Sequence, residues 1–454
     1  NRDFYTMLLF PLSGKYQFIS RFYLITLTNI LSCTIIPLAG FTSTVFLGHL
    51  TDIRYFAGAS LGAILFDYIY FSVGFLRLVT TGMTAIAVGE DDREAMLLVG
   101  IRNSAIALGL GILILVIHEP LGNLGFALFT TSREVKDAGL AYFNARIWGA
   151  PAVLLNYVLI GWFIGQEKSS RVLLMTIVYN VVNILQDYLY INQWHWASTG
   201  AGMSAGISQY LMLLTGLIFL LRDVPLKEVG ALKEQILESS GFKSIARLNG
   251  NLFVRSLTIA FTYVIFSCLS TTMDTMIFAG NALLLQVLLL TIDIFNGVGI
   301  STAALTGTFK GEQTTHKYLP LLQIAIGTSL SIGLTCAGLC VLSPQTIFGL
   351  LTNHSEIIEL IKTYVPWLLV VLGCASICLV LEGYFTGLAE GVVLRNTFLI
   401  STLAGFIPLA ISTWFYHNNH MLWLAMSMFM VIRMVILGVY LVKSKELKIE
   451  TILN

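Results

Sequence analysis

Charge is what this chain most lacks. Asp, Glu, Lys and Arg make up only 11% of its 454 residues, against about 25% in a soluble domain, and that shortfall excludes an ordinary water-soluble fold. The charges nearly cancel, at a net +1. No basic run is long enough to track a phosphate backbone, so nucleic acid is not an expected partner. A Walker-type Gly-rich loop ending in Lys-Ser/Thr is missing, and no polar stretch is long enough to bury a core of its own. An appended ATPase or catalytic domain is therefore not expected. The chain does not open on a short apolar core with a small-residue cleavage site, so its first long apolar stretch is expected to direct its own membrane insertion. The six cysteines, Cys33, Cys268, Cys336, Cys340, Cys374 and Cys378, all sit in apolar stretches. Neither a disulfide framework nor a zinc site follows from them. The i,i+4 pairs Cys336/Cys340 and Cys374/Cys378 read as small packing residues between helices rather than metal ligands, and no cofactor is expected.

What the chain has is hydrophobicity: 56% apolar residues and a mean hydropathy of +0.81. A lipid-spanning helix needs roughly 20 apolar residues. Twelve stretches qualify, at about 21–47, 55–85, 97–118, 136–160, 171–192, 199–221, 250–278, 284–308, 319–342, 356–386, 396–416 and 421–442. With the N-terminus inside, eighteen Lys and Arg fall on or near the cytoplasmic side, and only Arg54, Arg133, Lys136 and Lys362 fall outside. By the positive-inside rule both ends are cytoplasmic. The most polar interruption, Arg222 to Arg247, separates spans six and seven. It reads as a solvated tether, because Ser239-Ser240-Gly241 interrupts the amphipathic pattern that would lay it along the inner surface. The expected domains are an N-terminal lobe (1–222), a cytoplasmic linker (223–248) and a C-terminal lobe (249–454).

The halves are written alike. Gly161-Trp162-Phe163-Ile164-Gly165 returns as Gly383-Tyr384-Phe385-Thr386-Gly387, and the same offset carries Gly89-Glu90 onto Gly311-Glu312, Glu134 onto Glu356 and Tyr142 onto Tyr364. Six spans precede the linker, so both halves begin and end inside. The repeats are parallel, and such halves enclose a cleft that rocking can open to either side in turn. With no ATPase, the energy for transport is expected from an ion gradient.

An ionisable group within a bilayer costs at least about 2.5 kcal/mol, so it marks a protein interior or a wet cavity. Nine are read at that depth: Asp67, Arg77, Arg146, Asp187, Arg255, Asp274, Asp293, Glu382 and Arg433. Charge pairing that locks helices together accounts for such groups as readily as function does. Asp187 rises above the rest because Asn180, Asn183 and Asp187 form one stripe of the fifth span. Counting 1.5 Å per residue puts Asp67 of the second span at a similar depth. A carboxyl group taken out of water favours its protonated form, and a change of hydration between conformations would load and release that proton. Arg77 and Arg146 could instead neutralise both acids. Asp293 and Glu382 differ in depth and read as separate structural or gating groups. Trp194-His195-Trp196 reads as an interfacial aromatic belt, and Pro37 and Pro151 are candidate kinks in spans one and four.

Several motifs in order carry a resemblance: Gly74-Phe75-Leu76-Arg77 with Thr80-Thr81-Gly82-Met83-Thr84-Ala85, Arg146-Ile147-Trp148-Gly149-Ala150-Pro151, Asn183-Ile184-Leu185-Gln186-Asp187-Tyr188, Asn249 to Arg255, and Glu382-Gly383. Together they resemble the multidrug and toxic compound extrusion (MATE) family, DinF-like branch. That resemblance implies an all-α membrane protein of twelve transmembrane helices in two six-helix lobes around a central V-shaped cavity. It also implies export of organic compounds in exchange for protons or sodium ions. The branch's first-lobe site would fall on Asn183, Asp187 and Tyr142, while its first-helix aspartate falls on Ser43, which cannot carry a proton in the working pH range. Ala205 stands where the branch usually has a threonine, and Asp67 replaces an uncharged polar residue and could supply the missing carboxylate. Oxygens of Ser43, Thr44 and Asn183 keep sodium open beside the proton.

The expected function is a proton-coupled, non-enzymatic exporter of amphipathic or cationic small organic molecules. It is expected as a monomer, multi-pass in the cell membrane, with a bacterial inner membrane the natural setting. A lipid-linked precursor flippase of similar architecture is the alternative, and would want a more cationic central cavity. A membrane-embedded enzyme would need an interfacial nucleophile-base motif, which is missing, and a channel would show itself by single-channel currents.

Overall fold

A chain threaded through hydrocarbon finds no water for its backbone, so each crossing closes its own N–H to C=O bonds, and helices do this within one segment. The computed structural model of the protein describes residues 18–127, 129, 131–236, 238–352 and 355–444; every regular element among them is helical. Arg2, Lys15, Lys445 and Lys448, four of the eighteen Lys and Arg expected on the cytoplasmic side, lie outside the described residues.

Among the described residues twelve helices are long and apolar enough to cross a membrane: α1 (Ile19–Gly48), α2 (Ile53–Gly89), α3 (Arg93–Val116), α4 (Arg133–Gly165), α5 (Ser169–Gln193), α6 (Ala197–Asp223), α7 (Gly241–Thr271), α8 (Thr275–Gly311), α9 (Thr315–Leu342), α10 (Trp367–Gly387), α11 (Gly391–Tyr416) and α12 (Asn419–Lys443). Most agree with the expected stretches to within a few residues. The eighth begins nine residues ahead of its expected start, at Thr275, and two others differ for local reasons. The tenth, expected as one helix from 356, is split into Ser355–Tyr364 and α10, because Pro366 has no N–H to donate and disfavours helical geometry at Val365. The seventh ends at Thr271, where the Thr271 and Thr272 hydroxyls turn back onto the carbonyls of Cys268 and Leu269 (2.7 Å each). Asp274 is thereby corrected from a group at membrane depth to the exposed residue preceding α8. α1 runs through Pro37 without interruption, whereas α4 tightens to a 3-10 turn at Ile147–Gly149, just ahead of Pro151.

By contact the described residues form two compact units, one within 31–249, the other of residues 18–30 with those of 250–444. The chain changes units inside two helices, at Ile30/Leu31 of α1 and Asn249/Gly250 of α7. The first turns of α1 belong to the second unit, where the Asn29 amide donates to Ser301 Oγ (2.9 Å). A Cβ on Gly297 would stand 2.6 Å from the Ile30 nitrogen, so glycine is what admits α1 there. The first turns of α7 belong to the first unit, where Asn249 donates to Asn103 Oδ1 (3.1 Å).

The repeated Gly-x3-Gly has one job in both units. A Cβ on Gly161 would lie 2.5 Å from the Arg77 carbonyl and one on Gly165 2.8 Å from the Thr81 carbonyl; on Gly383 and Gly387 the distances are 2.1 Å to the Gly299 carbonyl and 2.4 Å to that of Ala303. Glycine alone lets α4 press its backbone on α2, and α10 on α8.

The segment after α6 departs from the tether expected of it. It folds into helices Leu226–Ala231 and Lys233–Ile236 that dock on α3. Arg93 pairs with Glu228 (2.8 Å) and donates to the Asp223 carbonyl (2.9 Å). Arg102, buried, donates to the Gln235 carbonyl (2.6 Å) and lies over the Phe242 ring.

Candidate functional site

α5 turns one face into the first unit. Val172, Met175, Thr176, Tyr179, Asn180, Asn183 and Asp187 recur every three or four residues and are all buried, as the polar stripe predicts. Asp187 ends the regular part of this helix; a π-helical turn over Tyr188–Gln193 follows. Its side chain is wholly enclosed, at 0% exposure.

Three neighbours meet the carboxylate. Ser43 of α1 donates to Asp187 Oδ2 at 2.5 Å, and Ser204 of α6 makes a short hydrogen bond to Oδ1. The Asn183 amide satisfies both its ends when its nitrogen faces Asp187 Oδ2 (3.2 Å) and the Ala39 carbonyl (3.3 Å), with its oxygen toward the Ala205 backbone N–H (3.3 Å). Each serine also has a second acceptor on its own helix. Ser43 reaches the Ala39 carbonyl (3.1 Å) and Ser204 the Ala201 carbonyl (3.0 Å).

That pair of choices decides what the site can do. With Asp187 ionised, both hydroxyls and the Asn183 amide donate to it, the arrangement a buried anion requires. With Asp187 protonated, its own O–H needs an acceptor, and a serine oxygen provides one once that serine's hydrogen swings to its helix carbonyl. Both charge states are therefore bonded without moving a helix. Among the described residues no Lys or Arg forms an ion pair with Asp187, so no fixed cation holds it in the charged state.

The other sequence candidates lie in different company. Tyr142 is buried, and its hydroxyl accepts from Arg146 Nη1 (2.6 Å). The Arg146 guanidinium stacks 4.6 Å from the Phe66 ring centre and lies 5.7 Å and 5.8 Å from those of Tyr142 and Tyr70. Asp67 is exposed. It feels the Arg146 charge, yet forms no ion pair with a Lys or Arg among the described residues, so Arg146 clamps neither acid. Arg77 is half-buried, within electrostatic reach of Tyr157. Asn180 is buried but donates only to its own helix, at the Thr176 carbonyl (3.0 Å). The structure thus assembles Ser43, Asn183 and Asp187, and holds Asn180, Tyr142, Asp67, Arg77 and Arg146 by other contacts.

In the second unit Glu382 of α10 is 3% exposed and held from both sides. Arg255 Nη2 meets Oε2 at 2.5 Å and Arg433 bonds Oε1. The two guanidiniums lie 4.7 Å and 4.6 Å from the ring centre of Phe398. Asp293 of α8 interacts with Tyr263, which also senses Glu382 and Arg433.

Ser204 is the partner sequence reasoning missed. It is the polar member of Gly202-Met203-Ser204-Ala205-Gly206, a run of small residues that signals close helix approach.

The MatE family model matches this chain twice, at residues 29–189 and 252–411, once in each half of the repeat. The chain is 27% identical over 409 residues to DNA damage-inducible protein F of Escherichia coli (strain K12), covering 90% of this chain and 89% of that protein. It is 22% identical over 299 residues to Protein DETOXIFICATION 43 of Arabidopsis thaliana, covering 64% of this chain and 54% of that protein. Among solved structures it matches, at a TM-score of 0.83 and 18% identity, an outward-facing multidrug resistance MATE family transporter of the MOP superfamily, covering 93% of this chain and 94% of that one. A MOP superfamily transporter from Pyrococcus furiosus, described as having a binding pocket of reverse polarity, matches at 0.81 and 18%, covering 92% and 93%.

Proposed function

Because the chain belongs to the MatE family of membrane transporters, we propose that it exports amphipathic or cationic organic compounds in exchange for protons, with Asp187 as the proton carrier. The protein is a multi-pass membrane transporter of a multidrug efflux family, not an enzyme. The observation that carries the proton assignment is the bonding of Asp187 in both charge states by Ser43 and Ser204. Sodium would have to open a group whose oxygens already close on one another through hydrogen bonds, which favours the proton. Asp67, exposed and without an ion pair to Lys or Arg among the described residues, is suited to attract a cationic substrate toward the first unit.

The cycle runs as follows. Substrate bound from the inside is carried out with Asp187 ionised; a proton from outside then neutralises Asp187, weakens the hold on a cationic substrate, and allows return. Each net charge crossing the field contributes about 2.3 kcal/mol per 100 mV; a neutral substrate exchanged for a proton draws on this, whereas a monovalent cation exchanged for one proton moves no net charge and is driven by the proton concentration difference. The positive-inside pattern supports cytoplasmic ends and hence an outer position for the turn preceding α4.

Flux in proteoliposomes at fixed pH, with sodium replaced by choline, tests this reading. Substrate-driven proton movement is expected to persist without sodium and to vanish in Asp187→Asn. Transport that requires sodium, or coupled flux that survives Asp187→Asn, contradicts it.

A further inference from the structure

α4 and α6 approach most closely where both carry small residues. A Cβ on Gly202 would lie 2.4 Å from the Tyr142 carbonyl, and one on Gly149 would lie 2.9 Å from the Gly206 Cα. Beside this contact Ala141, Ala145 and Gly149 are too small to fill the space between the helices, and a groove of about 510 Å³ remains. Trp148, 61% exposed, and Tyr210, 46% exposed, form its walls. The Tyr210 hydroxyl donates to the Trp148 carbonyl (2.8 Å), which leaves the tyrosine to present its ring.

The groove is graded in polarity. At the end nearer Arg133 it is lined by Thr199 and Asn144. Asn144 is exposed and has no hydrogen-bond partner among the described residues. It stands about two turns, or ~10 Å, beyond Asp137, the last exposed charge of α4. That is the depth at which headgroups give way to hydrocarbon. The groove then runs along α6 to Tyr210, roughly 16 Å from Thr199. Past it the exposed face continues as Leu214, Leu217, Ile218 and Leu221, a composition that faces lipid.

We propose that this groove binds one acyl chain of a phospholipid from the leaflet on the Arg133 side, the outer leaflet in the orientation given above. The Asn144 amide donates to the ester carbonyls, and the chain lies between the Trp148 and Tyr210 rings. Ester oxygens are pure acceptors, which is what an unpartnered amide at that depth lacks, and flat aromatic walls give methylenes contact without a polar cost. The inference rests on the membrane spans and not on the proton chemistry of Asp187, so either can fail alone.

The test uses the full chain in nanodiscs of phosphatidylethanolamine and phosphatidylglycerol, doped with a phosphatidylcholine that carries a diazirine in its acyl chain. Irradiation and peptide mapping should label the segments around Trp148 and Met203 several-fold more than the Leu214–Leu221 face. Filling the groove, by Ala141→Phe or independently by Met203→Phe, should bring its labelling down to the level of that face and leave the face unchanged. Asn144→Leu, which keeps the groove open, should lower the labelling by a smaller factor. Groove labelling no stronger than the face, or labelling indifferent to both filling variants, overturns the proposal. So does protein–protein cross-linking at Trp148, which would make a second copy the occupant.

Discussion

Asp187 in the first unit and Glu382 in the second are both buried acids on membrane-spanning helices, 0% and 3% exposed, yet they keep opposite company. Glu382 is shared by Arg255 and Arg433, and the two ion pairs tie α7, α10 and α12 together. Asp187 is met by two hydroxyls and an amide, and the hydroxyls are able to serve either charge state. A carboxylate clamped by fixed cations is a structural joint, because releasing its charge would strand theirs. A carboxylate held by groups that can turn is free to exchange its proton. The duplicated architecture thus carries two differently bonded buried acids, one in each unit.

The contrast is broken most severely at Asp187 itself. Asp187→Asn should abolish substrate-driven proton movement in proteoliposomes while leaving thermal unfolding in detergent nearly unchanged, since an amide keeps the size and the serine contacts. Glu382→Gln should do the reverse of that balance and destabilise the fold by roughly 3–5 kcal/mol, read as a large fall in unfolding temperature. If it unfolds like wild type, the triad is not a joint. A smaller loss, about 1–3 kcal/mol, is expected for Gly383→Ala and for Gly161→Ala, with the former worse because its Cβ would stand 2.1 Å rather than 2.5 Å from a facing carbonyl; equal tolerance at both would remove the close-approach explanation of the repeat. The mildest effect belongs to Ser43→Ala and Ser204→Ala. Each removes one of the hydroxyls bonded to Asp187, so substrate-driven proton exchange should slow by a few-fold, in line with the ~1 kcal/mol that one hydrogen bond contributes. Exchange at the wild-type rate in both variants would show that the hydroxyls do not bond the working carboxylate.

Much of this was legible in the residues. Length and apolarity set the twelve spans, the offset motifs set the duplication, and the spacing of Asn180, Asn183 and Asp187 set the inward face of α5. Ser43 stood out as a substituted position, and the structure places it directly on Asp187. What the sequence did not disclose were partners across helices. The spacing of residues fixes which face of a helix is polar, but the neighbour it meets depends on how helices are rotated and packed. Hence Asn180, on the same stripe as Asp187, bonds only its own helix, while Ser204, on no such stripe, completes the site. The grip of Arg255 and Arg433 on Glu382 was hidden for the same reason. The docking of the segment after α6 was missed because its pattern is weak, and what orders it is the Arg93–Glu228 ion pair and donation by Arg102 to the Gln235 carbonyl, contacts with α3 that the segment's own pattern does not record.

The central claim is that Asp187 changes its protonation during work. Infrared difference spectra of the reconstituted protein, taken across a pH step, read protonated carboxyl groups directly. The account predicts a carboxylic C=O band that appears on acidification in wild type and is missing in Asp187→Asn. An unchanged band in Asp187→Asn would contradict it.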